Sequence, residues 1–158
     1  MTVQSQKQKD RVGIARHAGE SGAVIVEFAV ILPFLAVLFA GAIEVGFLTH
    51  DHQILQNGAR EGARYASLRS NWILVEPGAQ ARIEQRVIDY LASEGITVVA
   101  TDITIDQGAP NCIATYGGTA APCSRVTVEY SKPLFFPGFN LLGPVTLEGN
   151  AVFRNLFE

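Results

Sequence analysis

The sequence lacks the residue patterns by which most catalytic sites are recognised. It contains no nucleophile paired with a base, no glycine-rich phosphate loop and no two acids at catalytic spacing. His50 and His52 lie two positions apart on a predicted helix. Their side chains then point about 200° away from each other and cannot chelate one metal ion. We therefore predict that the protein is not an enzyme and has no cofactor and no metal site.

Positive charge is scarce after the first residues. Residues 1–22 contain four basic and two acidic side chains, a net +2, so the total of −3 leaves −5 for the rest of the chain. A basic segment before an apolar helix is typical of the cytoplasmic side of a membrane. The acidic remainder resembles no nucleic-acid-binding surface, so nucleic acid is not a predicted partner.

Charge is absent altogether between Phe28 and Ile43. With its flanks, the stretch Gly22–Leu48 supplies the roughly 20 residues that a helix needs to cross about 30 Å of hydrocarbon. Glu27 lies just inside this apolar stretch. A carboxylate at the centre of a membrane helix costs on the order of 3 kcal/mol, and less near an end, so Glu27 is expected to have a partner.

The same stretch allows a second interpretation, in which it is a secretory signal peptide. Ala40, Gly41 and Ala42 have the small-x-small form of a cleavage site. The mature chain would then start at Ile43. Such a leader would be roughly 40 residues long, where about 15–30 is usual, and it would carry Glu27 in its apolar part. A membrane helix is therefore the preferred prediction.

The order of residues at the start of the apolar stretch resembles the processing site of type IV pilins. Gly22 and Ala23 are followed by Glu27, Phe28 and an apolar helix. The resemblance implies that a prepilin peptidase cuts after Gly22. It also implies that the new N-terminal amine of Ala23 pairs with Glu27 of the same or a neighbouring subunit.

A longer segment, from Gly22 to about Tyr65, is similar to the TadE-like family of tight-adherence (Flp-type) pilus assembly proteins. The shared features are the sequence VEF, a proline at Pro33, a second glutamate at Glu44 and the sequence GAREGARYA. The resemblance implies a pseudopilin or minor-pilin-like subunit with a type IV pilin-like N-terminus and a role in cell adhesion. Its partners would be other pilins, the pilus assembly machinery and the prepilin peptidase.

This resemblance also implies a location. The protein would be a single-pass protein of the bacterial inner membrane, with its N-terminus in the cytoplasm and its C-terminal domain in the periplasm. Two alternatives stay open at this point. One is an unprocessed, membrane-tethered periplasmic binding module of a secretion or envelope system, and the other is an anchored periplasmic enzyme whose active site is assembled from distant residues.

The helix is predicted to continue beyond the membrane as an amphipathic helix. Pro33 is expected to leave it unbroken, because a proline is tolerated within a membrane helix when neighbours satisfy the freed carbonyl. Gly58 and Gly62 lie four positions apart on the apolar face. This spacing favours close packing, either against the protein's own domain or against a neighbouring subunit.

Charged residues near and beyond the membrane exit have two interpretations each. Glu44 is either an interfacial residue that reaches the lipid headgroups or, as the resemblance implies, a contact between subunits. Arg60, Glu61 and Arg64 form either a subunit contact or a helix face turned to solvent and headgroups. Exposed charge pairs contribute little to stability, so neither arrangement is required by the fold.

The rest of the chain predicts an α+β fold, in which a short helix and a small antiparallel sheet follow the long helix in a pilin-like arrangement. Residues 1–22 are the cytoplasmic leader, expected to be disordered through residue 21. Residues 23–48 are the transmembrane helix, and residues 49–158 are the periplasmic domain with the helix continuation. The predicted elements are a helix at Ala79–Ser93 and strands at Thr97–Asp106, Arg125–Tyr130 and Val145–Arg154.

Two features of the exported part bear on its stability and contacts. Cys112 and Cys123 flank a turn-rich segment, and we predict a disulfide between them rather than free thiols. The apolar loop Pro133–Pro144 contains three phenylalanines. It is either a surface for a partner or a membrane, or a part of the core.

Overall fold

A computed structural model describes residues 17–68, 72–136 and 143–155. The helices are α1 (His17–Ala66), α2 (Trp72–Val75) and α3 (Ala79–Ser93), and a 3₁₀ turn spans Ala100–Asp102. The strands are β1 (Ile103–Gln107), β2 (Ile113–Tyr116), β3 (Thr119–Lys132) and β4 (Val145–Arg154). A long apolar helix, a short helix and a small antiparallel sheet confirm the predicted α+β class. The chain divides into two compact units between Ile43 and Glu44.

Helix α1 is continuous over 50 residues and contains Pro33 in its interior, as the sequence predicts. It begins at His17, so the end of the predicted leader is helical. The expectation of a disordered leader is therefore wrong for residues 17–21. Extending a helix that already exists costs far less than starting one, and the long apolar helix supplies that nucleus. The rest of the leader, residues 1–16, lies outside the described residues.

The core of the second unit is formed by α1, α3 and the sheet. Its fully buried apolar side chains are Leu55, Ala59, Ala63, Ala66, Ile83, Val87, Leu91, Val126 and Val128. A Cβ atom at Gly58 would lie 2.8 Å from Cδ2 of Leu91. A Cβ atom at Gly62 would lie 2.5 Å from Cγ2 of Val87. Both glycines therefore pack against α3 of the same domain, which is one of the two predicted arrangements.

Strand β3 is the central strand of the sheet. It pairs antiparallel with β1, β2 and β4, and the described sheet has four strands where the sequence predicts about three. The predicted strand Arg125–Tyr130 is only the middle of β3, which has 14 residues. The bounds of α3 and β4 are those predicted.

The prediction of a strand at Thr97–Asp106 is wrong for the first half of that range. A 3₁₀ turn occupies Ala100–Asp102, and strand pairing starts only at Ile103. The carboxylate of Asp102 accepts a hydrogen bond from the backbone N–H of Val99 at 3.0 Å. Local bonds of this kind from an aspartate compete with strand pairing, although the β-branched residues around them favour a strand.

Strands β2 and β3 form a hairpin inside the segment predicted to be a loop. Gly117 and Gly118 connect the strands with φ angles of 57° and 85°, which suits the two-residue turns that match strand twist. Cys112 and Cys123 lie one position beyond the last strand pair and are bridged, which confirms the predicted disulfide. The backbone N–H of Cys123 donates to the carbonyl of Cys112 at 3.1 Å, so the disulfide and the hairpin close the same loop.

Removal of this disulfide is expected to destabilise the domain. The cysteines are 11 positions apart, and closing a loop of that length stabilises a fold by about 3 kcal/mol in the chain-entropy model. We expect the double variant Cys112→Ser, Cys123→Ser to lose free energy of unfolding of that order in urea titrations. Mass measurement after thiol alkylation checks the bridge itself. Two alkylated cysteines before reduction would contradict it.

Gly149 in β4 lets the sheet approach the backbone of α1. A Cβ atom at this position would lie 2.5 Å from both the carbonyl carbon and the carbonyl oxygen of Leu55. A glycine inside a strand often marks such an approach of two backbones. The contact joins β4 to the C-terminal part of the long helix without an intervening side chain.

The C-terminal end of α1 is held by a buried side chain. Gln107, at the end of β1, is 2% exposed. Its amide nitrogen donates to the carbonyl of Ala66 at 2.6 Å, and its amide oxygen accepts from the backbone N–H of Ile73 at 2.9 Å. Terminal carbonyls of a helix lack intrahelical partners, so Gln107 satisfies one of them and connects the helix end to the sheet.

Candidate functional site

The apolar part of α1 is exposed along its whole length. Side chains from Val24 to Phe39 are largely accessible, among them Phe34 at 70% and Leu38 at 69%. In the part of the chain that the structure describes, α1 is the one helix long and apolar enough to cross a membrane, a test that a signal sequence near the N-terminus also meets. Residues 22–43 span about 33 Å at the helical rise, close to the thickness of a hydrocarbon core.

The four predicted processing residues share the first turns of this apolar helix. Gly22, Ala23, Glu27 and Phe28 all lie within α1. Ala23 and Glu27 are four positions apart, so they lie one turn apart on the same side of the helix. The side chain of Glu27 is exposed like its neighbours. A Cβ atom at Gly22 would meet nothing within 4 Å, so no packing contact within the described chain requires a glycine there.

Glu44 is buried within its own domain, with only 4% of its surface exposed. One carboxylate oxygen accepts the backbone N–H of Phe135 at 2.9 Å. The other accepts the same N–H at 3.1 Å and the N–H of Phe136 at 3.3 Å. Glu44 therefore binds the segment Pro133–Phe136, which we call the phenylalanine loop. Neither predicted interpretation of Glu44 included this intramolecular contact.

A second polar contact joins α1 to the end of β3. The ammonium group of Lys132 donates to the carboxylate of Asp51, and both side chains are largely buried. The Lys132 nitrogen also lies 5.6 Å from the ring centre of Phe47, within the range of a cation–π interaction. The rings of Phe47 and Phe135 are 6.1 Å apart. Together with Glu44, these residues fix the phenylalanine loop on the helix.

Sequence reasoning missed this cluster because its members are far apart in the chain. Glu44 and Phe135 are separated by 91 positions, and Asp51 and Lys132 by 81. Asp51 lies between His50 and His52 and belongs to no recognisable motif of its own. A glutamate at the end of an apolar helix was the available signal, since a buried carboxylate needs hydrogen-bond donors.

The charged cluster after the apolar helix is divided between an internal contact and exposed groups. The guanidinium of Arg86, on α3, donates to one oxygen of Glu61 at 2.9 Å and 2.6 Å. Arg86 also lies 5.8 Å from the ring centre of Tyr65. Arg60 and Arg64 are exposed and form no ion pair with another residue that the structure describes. Only the two arginines of the predicted contact set are therefore left facing outward.

Comparison with known proteins finds a similarity to a protein family. No curated protein and no solved structure matches this chain. A family model does match, and the matched residues contain the whole apolar segment, Glu27, Glu44, both packed glycines and the arginines of the charged cluster. Residues 22–64 match the model of the TadE-like protein family, which supports the resemblance that the sequence predicts for this part of the chain.

Proposed function

We propose that this protein is a pseudopilin or minor-pilin-like subunit in the assembly of a tight-adherence pilus. In this proposal α1 anchors it in the inner membrane, with the leader in the cytoplasm and the α+β domain in the periplasm. A prepilin peptidase removes residues 1–22, and the mature subunit packs its helix beside those of other pilins or of the assembly machinery. The work is structural, and the proposal includes no catalysis and no cofactor.

The observation that carries the proposal is the pattern of exposure and burial along α1 in the segment that matches the TadE-like family. Its apolar part is exposed throughout, while the following turns of the same helix are packed into a folded domain. An apolar surface of this length is not stable in water and needs lipid or other helices around it. A subunit stored in lipid and later transferred to a helical bundle meets this requirement in both states.

The position of Glu27 supports processing rather than simple anchoring. A carboxylate at the edge of the hydrocarbon core is unfavourable unless a positive group accompanies it. Cleavage after Gly22 creates such a group, the amine of Ala23, one helical turn away. The competing proposal is an unprocessed tether with a periplasmic binding domain, and it assigns Glu27 no partner.

N-terminal sequencing of the membrane-extracted protein separates these proposals. A chain that starts at Ala23 supports the pilin-like subunit. A start at Ile43 indicates a signal peptide, and a start in the leader indicates the tether.

The variant Gly22→Phe tests the cleavage site. A glycine leaves a narrow peptidase subsite free, whereas a phenylalanine ring obstructs it, so we expect the leader to stay attached and the protein to remain inserted. Pilus-dependent adhesion should be lost. The matched control is Gly46→Phe, because Gly46 lies on the same helix with nothing within 4 Å of an added Cβ atom. Mature protein at the wild-type level in Gly22→Phe would show that cleavage occurs elsewhere.

A further inference from the structure

The phenylalanine loop presents an exposed aromatic ring beside the first turn of the second unit. Phe135 is 70% exposed, whereas Leu134 next to it is 7% exposed. We propose that this loop is a lipid-binding surface, which inserts Phe135 into the interfacial layer of the bilayer and holds the domain against the membrane. The inference rests on the proposed function, because it requires residues 22–43 to span a bilayer.

The loop is bound to the turn of α1 that directly follows the apolar segment, and this fixes its depth relative to the bilayer. Glu44, its hydrogen-bond partner, directly follows Ile43 on the continuous helix α1. Phe47, its aromatic neighbour, follows three residues later, about 5 Å along the helix axis. The headgroup layer on each side of a bilayer is roughly 5–8 Å thick. A loop bound to this single turn therefore lies within that layer when the preceding residues span the hydrocarbon.

The backbone of the loop is suited to an environment poor in water. Where the headgroup layer meets the hydrocarbon, water is scarce and lipid tails accept no hydrogen bond, so a backbone N–H there is best satisfied by the protein. The N–H groups of Phe135 and Phe136 both donate to the buried carboxylate of Glu44. Pro133 has no N–H to satisfy.

The side chains around the loop fit the same environment. The ring of Phe136 meets that of Phe135 edge-on at 5.3 Å, and Phe47 is 44% exposed on the helix beside them. The charge of Lys132 is matched by Asp51, so the cluster brings no unpaired cation or anion from these two residues to the interface. Phenylalanine is among the residues that interfacial amphipathic helices bury at the boundary between headgroups and acyl chains. Lipid is favoured over a protein partner as the occupant because Glu44, which binds the loop, directly follows the apolar residues 22–43 in the sequence.

Tryptophan fluorescence in vesicles tests the proposal with the full-length chain. Phe135→Trp is reconstituted in phosphatidylcholine and phosphatidylglycerol vesicles whose acyl chains are brominated either near the headgroup or near the methyl end. Emission is compared with that of the parent chain, which contains only Trp72. We expect the added tryptophan to lose most of its emission to bromine near the headgroup and little to bromine near the methyl end. Aqueous iodide should have little effect on it.

Two further tryptophan variants separate this inference from the proposed function. Ile113→Trp is the matched control, because Ile113 is 54% exposed and pairs with Pro122, about 33 Å along β3 from Lys132. It should be quenched by iodide and not by brominated lipid. Phe34→Trp reports the anchor and should be quenched most by bromine near the methyl end. If Trp at position 34 escapes brominated lipid, the membrane anchor itself is contradicted.

If only the tryptophan at position 135 escapes brominated lipid and iodide quenches it, the loop faces water and the inference is overturned. Protection from both quenchers that disappears when protein is diluted in lipid would show a second copy on the loop, and would also overturn it. The role of Glu44 is checked in the same assay. Adding Glu44→Ala should release the loop and abolish lipid quenching, whereas Glu44→Gln, which keeps an oxygen acceptor, should retain most of it.

Discussion

Replacing Gly149 with alanine is expected to lower the free energy of unfolding of the domain by about 3 kcal/mol, the upper part of the usual range for overpacking. The added methyl group would meet the carbonyl carbon and oxygen of Leu55 at 2.5 Å. Neither atom belongs to a flexible side chain, so relief requires β4 to separate from α1. Gly149→Val adds two more methyl groups at the same place and should prevent folding.

The expected loss of stability at Gly149 is opposite in sign to the usual effect of replacing glycine with alanine. Glycine to alanine in a conformation that alanine tolerates usually stabilises a protein, by about 0.4–1 kcal/mol. Gly46→Ala is the control, since Gly46 is helical and has open space around it, and it should be neutral or stabilising. Urea unfolding followed by circular dichroism in detergent measures both variants. Equal midpoints would show that the sheet and the helix do not approach each other as closely as described.

Replacing Glu27 with leucine is expected to leave cleavage and insertion close to normal but to abolish assembly with partner subunits. After cleavage the amine of Ala23 would lack its carboxylate partner. Leaving one member of a buried ion pair without the other costs roughly 3–5 kcal/mol, which corresponds to a loss of at least a hundredfold in association. Glu27→Gln should behave in the same way, because it keeps the shape of the side chain and removes its charge.

Crosslinking in membranes, with processing followed on the same gel, checks this prediction. Glu20→Leu is the control, because it removes a carboxylate from the leader and leaves the mature chain unchanged. Its cleaved product should assemble normally. Wild-type crosslinked assemblies from the Glu27→Leu protein would show that the carboxylate is not the group that pairs with the amine.

The elements that could be predicted from the sequence are those specified by local patterns. Helix α3 has apolar residues at helical spacing and a stop at Gly95, where φ is 82°, and both of its ends are those predicted. Strand β4 alternates and was predicted with its observed bounds. The TadE-like segment was recognisable for the same reason, since its marks lie close together in the chain.

The features that escaped prediction depend on contacts between distant segments. In the sequence, Glu44 is a single acid at the end of an apolar helix. The backbone N–H groups that bind it lie in a loop 91 positions away, and no local pattern reveals them. Gly149 carries a weak local signal, a glycine inside a strand, but the identity of its neighbour depends on the packing of β4 on α1. The 3₁₀ turn at Ala100–Asp102 depends on one side-chain hydrogen bond that outweighs the strand propensity of its neighbours.

The central position of β3 constrains the order in which the sheet can form as the chain is synthesised. Every strand pair in the described part of the sheet includes β3, and its last residue is Lys132. Strand β1 ends at Gln107, about 21 residues before Val128, the last residue of β3 with which it pairs, so its pairing must wait for that length of chain. Until then the apolar faces of α1 and α3 that pack on the sheet have nothing to cover them. The apolar faces of these helices are thus expected to need a temporary shield, such as a chaperone, until β3 is complete.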